Sequence, residues 1–115
     1  LNLPEVPESL IIVGAGAIGL ELGDFFGMMG SKITIVEAAP HIAPTEDADI
    51  AKEMDRVQSK AGRTCITGVM AKSLVTKDGQ AELTLGDGRV LTASKALVAV
   101  GRIQPGLIAK RRAAR

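Results

Sequence analysis

The chain is nearly devoid of aromatic residues: two Phe stand among 115 residues, with no Trp and no Tyr. Its core has to be aliphatic, built from Ile, Leu, Val, Ala and Met. That composition suits an α/β protein whose parallel sheet is buried on both faces. Cysteine is as scarce. Cys65 stands alone, so the chain can close no internal disulfide and carries neither a Cys-x-x-Cys pair nor a Cys/His ligand cluster. Such usage fits a reducing compartment. No apolar run reaches the ~18 residues needed to span a bilayer, and Pro4, Glu5 and Glu8 near the start do not read as a secretory leader. No membrane partner is expected. A broad basic face is lacking too. The formal net charge is +1, but Lys110, Arg111, Arg112 and Arg115 crowd the last six positions, and the other ten basic residues face thirteen acids, leaving the body at −3. No nucleic-acid partner is expected from such a body.

What is present points to a globular fold. The hydrophobic fraction is 46%, too high for a disordered chain. The length suits one domain, able to bury roughly two-thirds of the surface its unfolded chain exposes. Residues 1–9 read as an extended lead-in, with two prolines among scattered apolar residues. Leu10-Ile11-Ile12-Val13 is wholly apolar and stops at glycine, as a fully buried strand does. From Ala17 to Met29 the apolar residues Ile18, Leu22, Phe25, Phe26 and Met29 fall at helical spacing, and Gly30 stands where a C-cap glycine belongs. Lys32 to Val36 is strand-like and ends at Glu37. After a loop with two prolines, Thr45 is the expected N-cap of a second helix. Ile50, Met54 and Val57 are its expected inner face, and Gly62 its end.

Beyond Gly62 the pattern changes. Thr64–Ile66 reads as a short strand. The segments 69–76, 81–85 and 89–92 are then separated by Lys77-Asp78-Gly79 and Gly86-Asp87-Gly88. Asp-Gly between strand-like runs signals hairpins, so a three-stranded antiparallel meander is expected. Ala96-Leu97-Val98-Ala99-Val100 reads as a last buried strand, stopped by Gly101-Arg102. The expected fold is therefore α/β and Rossmann-like, in three layers, with a central parallel sheet and a β-meander in place of a crossover helix. Residues 10–105 form the expected domain, and 106–115 a basic tail, disordered or foreign to the fold.

The chemistry sits at Gly14-Ala15-Gly16-Ala17-Ile18-Gly19. A lone Gly-x-Gly-x-x-Gly is a weak signal, but this one follows a strand, opens a helix and precedes a second strand that ends in an acid. Gly14 permits the tight turn, Gly16 lets the backbone approach a pyrophosphate, and Gly19 lets the helix pack on the sheet. The helix N-terminus then offers N–H groups and partial positive charge to phosphates. Glu37 lies 23 positions after Gly14, near the ~20 expected of a ribose-binding acid. A carboxylate there accepts hydrogen bonds from ribose hydroxyls and repels a 2′-phosphate. No Arg or Lys occurs between Glu37 and Lys52 to hold such a phosphate. NAD is favoured over NADP. Glu21 is a second acid of interest, directed toward the nicotinamide end. His41 is expected at the surface, and Cys65 as a small buried hydrophobe.

The run from Ile11 to Leu22, the strand end Thr34-Ile35-Val36-Glu37 and the segment Lys95-Ala96-Leu97-Val98-Ala99-Val100-Gly101-Arg102 together resemble the NAD domain of the pyridine nucleotide–disulfide oxidoreductases, most of all the dihydrolipoamide dehydrogenase branch. The resemblance covers roughly residues 1–105. It implies that Gly14, Ala15, Gly16, Ala17, Ile18 and Gly19 hold the pyrophosphate and Glu37 the adenosine ribose. It also implies that Glu21 approaches the nicotinamide end and that Gly101 lies beside the cofactor. It implies NAD as the ligand here and FAD on a domain outside this chain. The implied setting is a homodimeric parent enzyme of the cytoplasm or mitochondrial matrix. The sequence departs from the pattern in having Ser94 where an acid is usual and Gln104-Pro105-Gly106 where Pro-Asn is usual. It also lacks the Cys-x4-Cys pair and the catalytic His-Glu pair, so no catalytic residue is expected in this chain. Sister flavoenzymes of the NADH oxidase or ferredoxin reductase type, and a non-enzymatic NAD-binding module, are the alternatives.

Overall fold

The computed structural model describes residues 6–99 and the backbone of Ile108–Arg111. Strand β1 (Ser9–Val13) leads into helix α1 (Ala17–Met28), then β2 (Lys32–Glu37), α2 (Ala48–Lys60) and β3 (Thr64–Thr67). Three further strands, β4 (Ala71–Lys77), β5 (Gln80–Leu85) and β6 (Val90–Ala93), precede β7 (Lys95–Val98). The first sheet has the order β3-β2-β1-β7, and its three pairings are all parallel. The segments β4, β5 and β6 form the expected antiparallel meander. The Lys77–Gln80 hairpin turns on Asp78 (φ 54°) and Gly79 (φ 78°), two successive left-handed residues of the kind an Asp-Gly pair supplies.

The chain continues past the expected domain. Ile108–Arg111, expected as loose tail, forms a short strand β8 parallel to β4, with Ser73 opposite Ile108 and Thr76 opposite Arg111. The outer edge of β4 offers unpaired backbone groups, and the backbone of Ile108–Arg111 answers them.

Alternation along β1 divides the core. Leu10 and Ile12 face the helices, packed with Ala15, Leu20, Ile33 and Ile35. Ile11 and Val13 face the meander, packed with Val36, Leu83 and Leu85. Both faces of the parallel sheet are thus covered, which is why β1 has no polar residue after Ser9. Helix α1 approaches the sheet along Gly19 and Gly23, and Gly27, one turn further on, meets the Arg63 guanidinium. A Cβ on Gly23 would stand 3.3 Å from the Ile35 side chain. The outer face of the same helix is apolar and exposed, with Ile18, Phe25, Met28 and Met29 in water. Gly30 (φ 106°) ends the helix as expected, with Ser31 N–H donating to Phe26 O.

Helix α2 differs in detail from its expected form. Its N-cap is Asp47, whose carboxylate accepts from Ile50 N–H, rather than Thr45. Its inner residues are Ala51, Met54 and Gln58, whereas Ile50 and Val57 are exposed. The rotation brings buried Gln58 into a polar cluster. Its side-chain amide donates to Asp24 on α1 (3.2 Å) and accepts from Arg63 (3.2 Å), which also pairs with Asp24. This cluster ties α1, α2 and the approach to β3. Replacing Arg63 by Ala strips Gln58 and Asp24 of a shared donor and is expected to lower stability by about 1–3 kcal/mol in a urea titration.

Cys65 is half-buried on β3 and packs against the helix-side core. Burial, with Asp55 nearby, pushes its thiol up to about 11, against the lowering effect of Arg63. The folded state therefore favours the protonated thiol, and stability from this group is present below the unfolded pKa and lost as pH rises through the folded one. Unfolding midpoints are expected to fall more steeply between pH 9 and about 11 in the native chain than in Cys65→Ala.

Candidate functional site

The site is the turn from β1 into α1. Gly14 (φ 112°) takes a backbone conformation that side chains disfavour, and its N–H donates to Val36 O at 2.8 Å, extending the β1–β2 pairing by one step. Ala15 follows and is fully buried. Gly16 is the N-cap of α1, and no side-chain hydrogen bond caps the helix. The first intrahelical bond runs from Leu20 N–H to Gly16 O. The N–H groups of the first turn therefore have no intrahelical partner and meet the positive end of the helix dipole. Ala17 and Ile18 are exposed there, whereas Gly19 is buried.

The three glycines are glycine for three different reasons. Gly14 is required by its dihedral. Gly19 is required by packing, because a Cβ would lie 1.9 Å from Gly14 O. Gly16 is required by neither: its φ is −77°, which any residue adopts, and a Cβ would meet nothing within 4 Å. The space a side chain would fill lies open at the mouth of the turn, beside the unpartnered helix N–H groups. That space fits the close approach of an anionic group to the backbone.

Glu37 closes the other side. Sequence reasoning places it at the end of the second strand, and the structure puts it there, with only 8% of its surface exposed. Its carboxylate accepts from Ala15 N–H and from Ala39 N–H, each at 2.8 Å. Each oxygen keeps a second lone pair for a further donor. The loop after β2 returns to the turn: Ala43 N–H donates to Ala15 O at 2.8 Å. Ala43 is buried and holds φ at +50°, strained for a residue with a Cβ. Neither Ala39 nor Ala43 carries a signal in the sequence, because only their backbone takes part.

The remaining candidates are more loosely placed. Glu21 is exposed on α1 and takes no part in the contacts of the turn. His41 is partly buried, with its Nδ1 2.8 Å from Ile42 O. It helps line a cleft of about 210 Å³ with Pro40, Ile42, Ala51, Lys52 and Thr67. Gly101 lies outside the described residues. The end of β7 is nonetheless brought to the turn, since Ala99 N–H donates to Val13 O at 2.8 Å. Among the described residues no group of three or more His, Cys, Asp or Glu could hold a metal ion. No described helix is long and apolar enough to cross a membrane.

A parallel sheet with helices on one face, a meander on the other and a glycine turn at the strand-to-helix junction is a Rossmann-like domain. Residues 1–113 match the family model described as pyridine nucleotide-disulphide oxidoreductase, and the chain belongs to that family. It is 41% identical to the dihydrolipoyl dehydrogenase of Chlorobaculum tepidum over 105 residues, covering 88% of this chain and 22% of that protein. A crystal structure of LpdA from Mycobacterium tuberculosis superposes with TM-score 0.78 at 31% identity, over 86% of this chain and 22% of the other. The ferredoxin reductase for the CYP199A2 system of Rhodopseudomonas palustris superposes with TM-score 0.78 at 27% identity, over 83% and 24%. The chain thus spans about a fifth of the length of the curated relatives it matches.

The different reasons for the glycines make separable expectations. Gly19→Ala forces a backbone clash and should cost more than about 3 kcal/mol of stability. Gly16→Ala should leave stability within about 1 kcal/mol. Paired thermal melts of the two variants measure the contrast.

Proposed function

We propose that this chain is the NAD(H)-holding domain of a flavin-dependent, dihydrolipoyl dehydrogenase-like oxidoreductase. The observation that carries the reading is Gly16: neither conformation nor packing asks for glycine there, and the opening it leaves stands at an uncapped helix N-terminus. The turn formed by Gly14, Ala15, Gly16, Ala17, Ile18 and Gly19 holds the pyrophosphate through the N–H groups at its helical end, from Gly16 onward, and through the helix dipole, since the Gly14 and Ala15 N–H groups are taken by Val36 O and Glu37. Glu37 offers its remaining lone pairs to the adenosine ribose hydroxyls. Resemblance to the family gives Glu21 and Gly101 roles at the nicotinamide end. NAD(H), when bound, supplies hydride exchange with a flavin, and FAD belongs to a domain outside this chain. The residues here bind and orient. They include neither the Cys-x4-Cys pair nor the catalytic His-Glu pair of the family.

The buried carboxylate of Glu37 and the absence of Arg and Lys from residues 38–51 favour NAD over NADP, since a 2′-phosphate would bring about two negative charges against a carboxylate. A second reading places the domain in a ferredoxin reductase-type flavoenzyme. The likeness to the Rhodopseudomonas palustris structure supports it, and the cofactor site is the same in both readings.

Fluorescence titration tests the cofactor. NADH is expected to bind at least about tenfold more tightly than NADPH, a difference of roughly 1.4 kcal/mol. Equal affinities would remove the role given to Glu37. With added FAD and lipoamide the isolated chain is expected to show no NADH oxidation, and turnover would refute the division of labour proposed here.

A further inference from the structure

The Glu37 carboxylate is occupied before any ligand arrives. One oxygen accepts from Ala15 N–H and the other from Ala39 N–H, both at 2.8 Å, with the side chain buried. Ala15 is the residue between the two glycines at the mouth of the turn. Its carbonyl is held as well, by Ala43 N–H at 2.8 Å. Both polar backbone groups of that one residue are therefore fixed by the segment from Glu37 to Ala43. This segment carries a buried alanine in the left-handed region at φ +50°, a conformation that persists only where the surroundings impose it. Gly16 and the first N–H groups of α1 follow Ala15 directly, so the orientation of Ala15 sets where they point.

We propose that Glu37 is a positioning residue for the phosphate turn, in addition to any contact with ribose. Its carboxylate holds Ala15 so that the backbone of Gly16–Ile18 faces an incoming phosphate. The same group links the adenosine end of the site to its phosphate end. Ribose hydroxyls add to the free lone pairs without displacing the bonds to Ala15 and Ala39. A ligand that carries phosphates and no ribose should then also sense Glu37, which a ribose contact alone would not produce. The inference rests on the dinucleotide reading for its ligand, whereas the hold on Ala15 is a property of the free chain.

Two substitutions separate the roles. Glu37→Gln preserves shape but turns one acceptor oxygen into a donor, so at most one of the two backbone bonds survives. Glu37→Asp preserves the charge, and hence the repulsion of an anion, but withdraws the carboxylate by about one bond length, ~1.5 Å. Amide hydrogen exchange by NMR reads the free chain, and titrations with inorganic pyrophosphate and with NADH read binding. In Glu37→Asp the amide of Ala15 is expected to exchange at least about tenfold faster, while Ile12 and Ile35 in the sheet keep their protection. Pyrophosphate affinity should fall about threefold or more at unchanged charge, and NADH affinity should fall with it. In Glu37→Gln the exchange of Ala15 or Ala39 should rise in the same way. Unchanged exchange at Ala15 and Ala39 in both variants overturns the proposal. So does a loss of NADH affinity with pyrophosphate affinity intact, which leaves Glu37 a ribose contact only. A native chain that binds neither ligand defeats the dinucleotide reading, and the exchange result then decides the hold on Ala15 by itself.

Discussion

Helix α1 runs so close to the strand before it that no side-chain atom fits between Gly19 and the carbonyl of Gly14. That approach sets the angle at which the helix leaves the turn and brings Gly23 and Gly27 down onto the sheet and the Arg63 guanidinium. It also aims the helix N-terminus at the end of β1 rather than past it. The core on the helix side, from Leu10 and Ile12 to Leu20 and Phe26, closes around this geometry. Without it the turn would be an ordinary loop and the dipole would point at nothing.

The parallel sheet serves as scaffold because it is sealed on both sides. Helices cover one face with Leu20, Leu22, Phe26 and Met54, and the meander covers the other with Ala71, Leu83, Leu85 and Ala93. Ser9 and Ser94 hydrogen-bond to each other near the open end of β1, and Ala99 bonds to Val13 at the opposite end. The strand that carries the turn is therefore held at both ends and on both faces, and this fixes the position of the glycines that follow it.

Much of this was legible in the sequence because the informative residues act through their type. Gly14, Gly30 and Gly79 announce positive φ angles. Unbroken apolar runs announce strands buried on both faces, and Asp78-Gly79 announces a hairpin. The glycine turn and the acid at the end of β2 stood out by their spacing together with the strand before the turn and the helix after it. The face of α2 differs from its expected one for a physical reason: Ile50 and Val57 look like core residues, yet the buried side includes Gln58, satisfied by Asp24 on the other helix and by Arg63 just past the helix end. The pairing of Ile108–Arg111 with β4 was hidden by the basic residues around it. Ala39 and Ala43 were invisible because a backbone N–H has no letter of its own. The bond from each Glu37 oxygen to the protein's own backbone was hidden for the same reason.

The bonds that shape the turn all lie within residues 14–43: Gly14 to Val36, Ala15 to Glu37, and Ala43 to Ala15. The bonds that seal the sheet reach much further, with Ser9 and Ser94 separated by 85 residues. Contacts between near neighbours in sequence cost less loop entropy to close and form sooner. The meander, with its tight hairpins, can assemble on its own, but the pairing of β7 with β1 must wait for nearly the whole chain. The glycine turn is thus written into the first 43 residues of the sequence and buttressed from its last part. During synthesis its local shape can be present well before the strand that holds it in place has been made.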